Sequence, residues 1–455
     1  MDPEELAFAG VVRQAELIRG GEVSSRELVE LCLARIERLD PELNAFRTVM
    51  AERALADAGQ ADGRRGAGDD RPLLGVPIAV KDTEDVAGET TGMGTAAHRG
   101  RAERDNDFVS RLRAAGAVMI GKTNLPELAI MGATEGAAFG VTRNPWNTDR
   151  TPGGSSGGSG AAVAAGLCAA ATASDGAGSI RIPASCCGIV GLKPQRDRIS
   201  LAPLDEHWYG MSVVGFQTRT VADTALLLDS TAQQPGGYLE AAGSAPGKLR
   251  IALSLKPPAP ARVDSQVQDS VRAVADVLRS LGHEVAERDP EYKRASDAAT
   301  IRYLSGIAQD GRRVPRPERL QRRTRGFIRI GKAGRQLLAW ARRSEAGHAA
   351  RINELFADHD VLLTPVGARP PVRAAQWEGM SAARTLLEMA AVYPFTGVWN
   401  MTGQPAISVP GPPARDGLPI GAQLIGPPDS EPRLLSLAAQ LEGELRWPDR
   451  RPPLS

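Results

Sequence analysis

The stretch Thr151-Pro-Gly-Gly-Ser-Ser-Gly-Gly-Ser-Gly160 is followed directly by Ala161-Ala-Val-Ala-Ala165 and then by Asp175-Gly-Ala-Gly-Ser-Ile-Arg-Ile-Pro183. A flexible linker would have a similar glycine and serine content. The alanine-rich helix predicted after the first stretch favours an ordered loop instead, and such a helix start can present backbone N–H groups to an anion. Glycine just before Ser179 permits a sharp turn with inward-pointing amides. An oxyanion hole needs this arrangement.

Strands alternate with helices on both sides of this segment. An apolar strand is predicted at 73–80 and ends at Lys81, and short strands at 249–253 and 284–285 flank a helix at 267–281. This alternation predicts an α/β fold with a largely parallel sheet. Residues 58–72, rich in Gly, Asp and Arg, predict a surface loop. Ser24-Ser-Arg-Glu27 predicts a capping box at the start of a helix.

A serine nucleophile needs a base, and histidine is the usual one. None of the five histidines has a glycine-rich or strand-end setting; they are His98, His207, His283, His348 and His359. Lysine can replace histidine where burial makes its ammonium form costly. Lys81 follows an apolar strand, and lowering its pKa from ~10.4 toward 7 needs about 4–5 kcal/mol, which burial can supply. The alternatives are that Lys81 pairs with Asp82 or extends its amine to the surface.

The composition predicts a globular protein whose overall charge is close to zero. Of the 455 residues, 42% are apolar and 24% charged, and the net charge is +1, so the whole molecule has no bulk attraction to nucleic acid or anionic membrane. Four cysteines without C-x-x-C spacing are too few for a disulfide framework and form no metal pair. The start of the chain lacks the basic region of a signal peptide, and the uncharged run 161–173 is too short to span a bilayer. We therefore expect a cytoplasmic protein that does not bind membranes.

The motifs together resemble those of the amidase signature family. The similarity is dense over 73–229, weaker over 360–365, 400–410 and 418–426, and poor over 255–355. The resemblance implies a single amidase domain over 1–455, with a signature core at 73–229 and a variable, substrate-shaping region at 255–390. It also implies a large, twisted, mostly parallel mixed sheet covered by helices on both faces. The motifs in the dense part include Gly75-Val-Pro-Ile-Ala-Val-Lys-Asp82, Gly121-Lys-Thr-Asn124, Pro152-Gly-Gly-Ser-Ser-Gly-Gly-Ser159, Gly188-Ile-Val-Gly-Leu-Lys-Pro194 and Arg219-Thr-Val-Ala-Asp223.

The resemblance further implies a triad of lysine, a serine in a cis peptide bond, and a nucleophilic serine. The lysine maps to Lys81 and the nucleophile to Ser179. The relay serine of the family is the first of a Ser-Ser pair, 24 residues before the nucleophile, which selects Ser155. The implied reaction is hydrolysis of a linear carboxylic amide through an acyl-enzyme, without a metal or an organic cofactor. The other implied site residues are the backbone amides of Gly176, Ala177, Gly178 and Ser179 as the oxyanion hole, and Ser156, Asp175 and Arg181 in support.

The sequence departs from the family pattern in two places. The family usually has Gly-Gly-Ser at the nucleophile, whereas this chain has Ala177-Gly-Ser179. If position 177 requires a positive φ, alanine costs roughly 1 kcal/mol or more there. After Leu-Lys-Pro the family often has Thr-Tyr-Gly-Arg, whereas this chain has Gln195-Arg-Asp-Arg198, which alters a loop near the predicted substrate entrance. Neither departure removes a member of the triad.

Two other functions fit parts of the sequence. Gly116-Ala-Val-Met-Ile-Gly-Lys-Thr123 satisfies the P-loop pattern of nucleotide-binding proteins, but a helix precedes it and its middle is strand-like. The glutaminase subunits of tRNA-dependent amidotransferases belong to the same family, but they usually carry glutamine where this chain has Ile182, and segment 204–217 lacks their aromatic run. We therefore predict a free-standing amidase.

The expected partner is a small-molecule amide, and a homodimer is compatible with the sequence. The basic segment 312–343 contains a single acid, Glu318. It predicts either a solvated helical face with a buried apolar stripe or a surface that an anionic substrate or an acidic partner approaches; nucleic acid is not the expected ligand. Four aromatic residues are candidates for lining an aryl or long acyl pocket, or for packing: Trp208, Tyr209, Trp377 and Trp399.

Overall fold

One large sheet takes strands from most of the chain. The computed structural model describes residues 2–97 and 100–455. Within them, eleven strands form a sheet in the order β1-β3-β2-β6-β8-β7-β12-β13-β11-β9-β10, and β4 pairs with β5 separately. The strands are β1 (Phe46–Val49), β2 (Pro77–Lys81), β3 (Val118–Thr123), β4 (Glu135–Gly136), β5 (Gly140–Val141), β6 (Ala170–Asp175), β7 (Val190–Lys193), β8 (Val213–Thr218), β9 (Arg250–Leu253), β10 (Glu284–Glu287), β11 (Val361–Pro365), β12 (Ala406–Pro410) and β13 (Gly421–Ile425).

Helices separate most of these strands. None of those in the described residues is both long enough and apolar enough to cross a bilayer. The α-helices are α1 (Pro3–Ala7), α2 (Gly10–Gly20), α3 (Ser25–Leu43), α4 (Ala51–Gly66), α5 (Asp107–Ala114), α6 (Gly157–Ala164), α7 (Arg181–Cys187), α8 (Val221–Thr231), α9 (Tyr238–Ala242), α10 (Ser265–Ser280), α11 (Ala295–Asp310), α12 (Arg322–Ala333), α13 (Leu338–Arg343), α14 (Glu345–Asn353), α15 (Ala382–Val392), α16 (Gly397–Thr402) and α17 (Glu431–Leu445).

The two faces of the sheet are both covered by helices. Alternate residues of a strand face opposite sides, so Ile78 of β2 and Leu363 of β11 share one core with α2, α8, α10 and α17. On the opposite face, Ala79 of β2 packs with α3, α4 and α6, and Leu362 of β11 packs with α11 and α12. The predicted α/β class, with a large mixed sheet and helices on both faces, is confirmed.

Parallel and antiparallel neighbours occupy different parts of the sheet. Strand β2 runs parallel to β3 and β6, and β9 runs parallel to β10 and β11. The neighbours between these groups, from β6 and β8 to β13 and β11, are antiparallel. Because Ala79 of β2 is in register with Ala171 of β6, the carboxyl ends of these two strands meet at one edge of the sheet. In α/β proteins, such an edge is where ligands bind.

The N-terminal helices confirm one local prediction and correct another. The capping box is present: the Glu27 N–H donates to Oγ of Ser24 at 3.1 Å, and the Ser24 N–H donates to the Glu27 carboxylate at 2.7 Å. The surface loop predicted over 58–72 is wrong in its first part, because α4 continues to Gly66. The buried alanines Ala54, Ala58 and Ala61 form an apolar stripe at helical spacing, which stabilises a helix despite its glycines.

Candidate active site

Lys81 ends β2, and its amine is enclosed by protein. The residue is 0% exposed, and its Nζ donates to Oγ of Ser155 at 2.8 Å and to Oγ of Ser174 at 2.9 Å. Burial lowers the pKa of Lys81 to about 7, although the carboxyl groups of Glu84 and Asp175 act to raise it. An amine with this pKa is substantially neutral at pH 7 and can accept a proton.

A second buried lysine, Lys122, bears on two alternative interpretations: that Lys81 pairs with Asp82, and that residues 116–123 form a P-loop. The Nζ of Lys122 lies 3.0 Å from Oδ1 of Asp82, and Nε of Arg47 lies 2.5 Å from Oδ2, so Asp82 forms ion pairs with Lys122 and Arg47 and not with Lys81. Lys122 is also the lysine of the P-loop-like stretch. Residues Val118–Thr123 form the buried strand β3, and a strand does not wrap phosphate as a P-loop does. The nucleotide-binding alternative is therefore wrong.

The serine pair stands directly before α6. The peptide bond between Gly154 and Ser155 is cis. Gly154 passes close to another segment, because a Cβ at this position would lie 2.6 Å from the carbonyl oxygen of Met131. The Oγ of Ser156 donates to the carbonyl oxygen of Ser174 at 3.3 Å. The pair thus ties the start of α6 to the end of β6.

Ser179 lies on the turn that joins β6 to α7. Gly178 has a φ of 129°, and its N–H donates to Oδ1 of Asp175 at 2.6 Å. This amide is already occupied, so Gly178 does not offer a free N–H to an oxyanion hole, contrary to the prediction. Ala177 lies outside the positive-φ region, so the alanine carries no left-handed backbone strain. Its carbonyl oxygen accepts a hydrogen bond from Oγ1 of Thr396 at 2.6 Å.

A buried ion pair fixes this turn. The Nε and Nη2 atoms of Arg181 each lie 3.0 Å from an oxygen of Asp175, and neither side chain is exposed. Arg181 also donates to the side-chain oxygens of Gln423 at 2.6 Å and Asn400 at 2.7 Å. Burial acts to raise the pKa of Asp175, but Arg181 and the Asn400 amide outweigh it and lower the pKa to about 2. The pair is therefore ionised and holds the loop that carries Ser179.

Two cavities meet at Ser179. The larger, of about 510 Å³, is lined by Ser155, Ser174 and Ser179 and by further polar side chains such as Glu84, Asp85 and Asp310. The smaller, of about 140 Å³, is lined by Ser179 and mainly apolar side chains. Ser155 and Ser179 thus face one space but, within the part of the chain that the structure describes, they are not hydrogen-bonded to each other. Catalytic hydrogen bonds are often loose in the absence of substrate and tighten when it binds.

Among the aromatic candidates, Trp208 is the one on the cavity walls. It lines both cavities. Trp377 and Trp399 are 0% exposed and belong to separate core clusters, so they serve in packing. The ring of Tyr209 lies 5.8 Å from the guanidinium carbon of Arg342.

The described histidines do not provide a base for Ser179. His207 lines the larger cavity, but its Nε2 lies 3.0 Å from Asp310 and its Nδ1 lies 2.8 Å from Oγ of Ser212. His283 and His348 are buried elsewhere, and His359 bonds to a backbone carbonyl of its own segment. His98 lies outside the described residues.

Four residues that support the site were missed in the sequence. Ser174 contacts the Lys81 amine, and Oγ1 of Thr172 accepts a hydrogen bond from the Lys81 N–H at 2.8 Å. Both precede Asp175 on β6 at alternate positions, which is the available sequence signal because such residues share a face. Asn400 and Gln423 lie in the weaker C-terminal motifs, 219 and 242 residues from Arg181, and no local pattern connects them to it.

Known proteins share this architecture. The Amidase family model matches residues 27–435. The chain is 49% identical to the putative amidase AmiB2 of Mycobacterium tuberculosis over the full length of both. It is 37% identical to the 6-aminohexanoate-cyclic-dimer hydrolase of Paenarthrobacter ureafaciens, over 97% of this chain and 96% of that one. The crystal structure of a bacterial aryl acylamidase of the amidase signature family superposes with a TM-score of 0.86, at 26% identity over 97% of this chain and 99% of that one.

The family match covers nearly the whole chain, and the fold agrees with it. The resemblance in the sequence is therefore confirmed: this protein is a hydrolase that belongs to the amidase signature family.

Proposed function

We propose that the protein hydrolyses a carboxylic amide to an acid and an amine, with Ser179 as nucleophile, Ser155 as relay and Lys81 as base. The observation that carries the proposal is the 2.8 Å contact between the buried Nζ of Lys81 and Oγ of Ser155, on the wall of a cavity that Ser179 shares. The pKa of about 7 gives Lys81 the neutral form that a base needs.

Burial alone does not identify the base. Lys193 is also 0% exposed, and burial lowers its pKa to about 7. Its Nζ donates to the carbonyl oxygen of Pro194 at 2.9 Å, and it is absent from the walls of both cavities at Ser179. Lys81 is favoured by its contact with Ser155, not by its pKa.

In the proposed reaction, Oγ of Ser179 attacks the amide carbonyl carbon. Its proton passes to Oγ of Ser155, whose own proton passes to the neutral Lys81 amine. The tetrahedral intermediate then collapses, the C–N bond breaks, and Ser155 gives a proton to the leaving nitrogen and regains one from Lys81. Water attacks the resulting ester of Ser179 by the same relay, which releases the acid and restores the hydroxyl.

The negative charge of the intermediate needs donors fixed in advance. Because the Gly178 N–H is engaged by Asp175, we assign this role to the backbone N–H groups of Gly176, Ala177 and Ser179. Asp175 and Arg181 then act as positioning residues that hold the turn.

A free-standing amidase is favoured over a glutaminase subunit. Ile182 occupies the position where such subunits usually carry glutamine, and it lines the smaller, apolar cavity beside Ser179. That apolar wall suits an apolar substrate group better than the polar side chain of a glutamine substrate. We propose linear amides as the substrate class. Because one relative is named a cyclic-dimer hydrolase, a cyclic amide is the alternative substrate to test beside a linear one. The proposed setting is the cytoplasm, since all four cysteines are free and buried.

A fluorophosphonate probe, which reacts with activated serines, tests the nucleophile. We expect labelling of the wild-type protein, none of Ser179→Ala, and at least about hundredfold slower labelling of Ser155→Ala and Lys81→Ala. Ser230→Ala is the matched control, because its hydroxyl bonds only to a carbonyl of its own helix. Labelling that persists in Ser179→Ala would overturn the assignment.

Hydrolysis of a linear amide, a cyclic amide and glutamine tests whether the protein is a free-standing amidase or a glutaminase subunit. The isolated protein should hydrolyse the linear amide without a second protein. Glutamine hydrolysis that appears only with a partner subunit would restore the glutaminase alternative.

A further inference from the structure

We infer that the two cavities at Ser179 are distinct subsites, divided by Trp208: the smaller takes the acyl group and the larger takes the leaving amine. The preferred substrate would then be an amide that joins a short apolar or aryl acid to a larger, polar amine with hydrogen-bond donors. This inference rests on the proposed function, because it uses the role of Ser155.

The position of Ser155 sets the direction in which the substrate lies. The residue that protonates the leaving nitrogen must be within hydrogen-bond reach of it. Ser155 lines the larger cavity and is not part of the wall of the smaller one, whereas Ser179 lines both. With its carbonyl carbon at Ser179, the substrate therefore points its nitrogen into the larger cavity and its acyl group into the smaller one.

The chemistry of the smaller cavity suits an apolar acyl group. Its wall includes Ile182, Met211, Met389 and Val398, and its volume is about 140 Å³. Burying apolar surface in such a space stabilises the complex. A charged acyl chain would lose its hydration there without a charged partner, because no acidic or basic side chain of the described residues lines this cavity.

The larger cavity has a different wall. Its volume is about 510 Å³, and three carboxyl groups line it, those of Glu84, Asp85 and Asp310. Asp310 already contacts His207, Trp208 and Arg313. Glu84 and Asp85 bond to hydroxyl and amide groups and have no ion-pair partner among the described residues. Carboxylates accept hydrogen bonds and attract positive charge. An amine portion with N–H or O–H donors, or with a second ammonium group, would be complementary to this wall.

Trp208 is held firmly between the two cavities. Its Nε1 donates to Oδ2 of Asp310 at 2.7 Å. The indole lies against two glycines, since a Cβ added to Gly176 or Gly306 would come within 2.6 Å or 2.4 Å of it. Its ring also meets Tyr303 edge-on, with centroids 5.3 Å apart. A ring fixed on several sides can act as a dividing wall.

Filling the smaller cavity tests the assignment of the acyl group. Met389→Trp should lower kcat/KM for the para-nitroanilide of hexanoic acid at least tenfold and leave that of acetic acid within about threefold. Leu387→Trp, on the same helix but 72% exposed, should leave both unchanged. Ala390→Leu, a smaller change on the same cavity wall, should reproduce the Met389→Trp pattern if that variant folds poorly. Equal losses for the two anilides, or no loss for the hexanoic anilide, in both Met389→Trp and Ala390→Leu would overturn the inference.

Varying the amine tests the larger cavity. Hexanamides of 1,4-diaminobutane, butylamine and 4-aminobutanoic acid have the same acyl group and leaving parts that are cationic, neutral and anionic. We expect kcat/KM to fall in that order, by about tenfold in all, and the opposite order would overturn the inference. Ser179→Ala distinguishes failure of the subsite inference from failure of the proposed function. If this variant hydrolyses none of the three amides but the wild type shows no preference among them, only the subsite inference is wrong. If the variant still hydrolyses them, the proposed function itself is wrong.

Discussion

Lys81 can serve as a base only in its neutral form. Because burial lowers its pKa from 10.5 to about 7, the neutral fraction rises about tenfold per pH unit below that value and levels off above it. We expect kcat/KM for amide hydrolysis to follow this rise, with a midpoint near pH 7. Initial rates between pH ~5 and ~9 measure it, and a flat profile would contradict the assignment.

Glu84 provides the control for this prediction. Its carboxyl group raises the pKa of Lys81, so Glu84→Gln, which removes the charge but keeps a carbonyl acceptor for the Asn106 amide, should move the midpoint to lower pH. Lys81→Arg stays protonated throughout this range and should be inactive at every pH. A midpoint unmoved by Glu84→Gln would indicate that another group titrates.

Single residues of the site differ in how far their roles follow from the sequence. Lys81, Ser155 and Ser179 stand in local motifs that keep the family's spacing, so the amino-acid sequence alone is enough to select them as candidates. The engagement of the Gly178 N–H by Asp175 depends on the turn geometry. Asn400 and Gln423 reach Arg181 only because the order of strands brings distant segments together.

At the scale of elements, the turn between β6 and α7 needs glycine at position 178 for two reasons. Its φ is positive, and a Cβ would lie 2.4 Å from Oγ1 of Thr396. Gly282 also has a positive φ, of 91°, but a Cβ there would meet nothing within 4 Å. We expect Gly282→Ala to cost only the backbone strain of about 1 kcal/mol, and Gly178→Ala to cost more and to lower kcat/KM at least tenfold. Thermal unfolding and initial rates measure both, and equal effects would show that packing against Thr396 is unimportant.

Helix α12 contains basic residues with two different roles. Nη1 of Arg323 lies 3.1 Å from Oε1 of the buried Glu135, whereas Arg322 and Arg325 are less enclosed and have no carboxylate partner among the described residues. Removing one partner of a buried pair costs about 3–5 kcal/mol, so Arg323→Gln should lower the free energy of unfolding by about this amount. Arg322→Gln and Arg325→Gln should change it by less than about 0.5 kcal/mol. Of these three positions, Arg322 and Arg325 can therefore test an acidic partner, because a change at Arg323 would confound binding with stability.

At the scale of the whole molecule, the class of fold was predictable and the arrangement of the strands was not. Hydrophobic strands that alternate with helices indicate an α/β protein from local pattern alone. Which strands are neighbours depends on contacts between distant segments: β12 and β13, near the end of the chain, extend the sheet from β7 of the signature core. The weaker motifs at 400–410 and 418–426 consist of these two strands and the residues next to them. Their resemblance to the family therefore reflects strands that belong to the central sheet.

The shared sheet predicts that the protein unfolds as one unit. Leu6, near the start of the chain, and Trp447, near its end, belong to the same core cluster, and the variable region contributes β10 and β11 to the sheet that contains the signature core. We expect one thermal transition, with far-UV circular dichroism and tryptophan fluorescence coincident. Trp447→Ala should move both signals to lower temperature together, by a loss of about 3–5 kcal/mol, whereas Trp340→Ala, at a half-buried position on α13, should have a smaller effect. Two separate transitions, or a shift of only one signal in Trp447→Ala, would show that the chain contains independently folding parts.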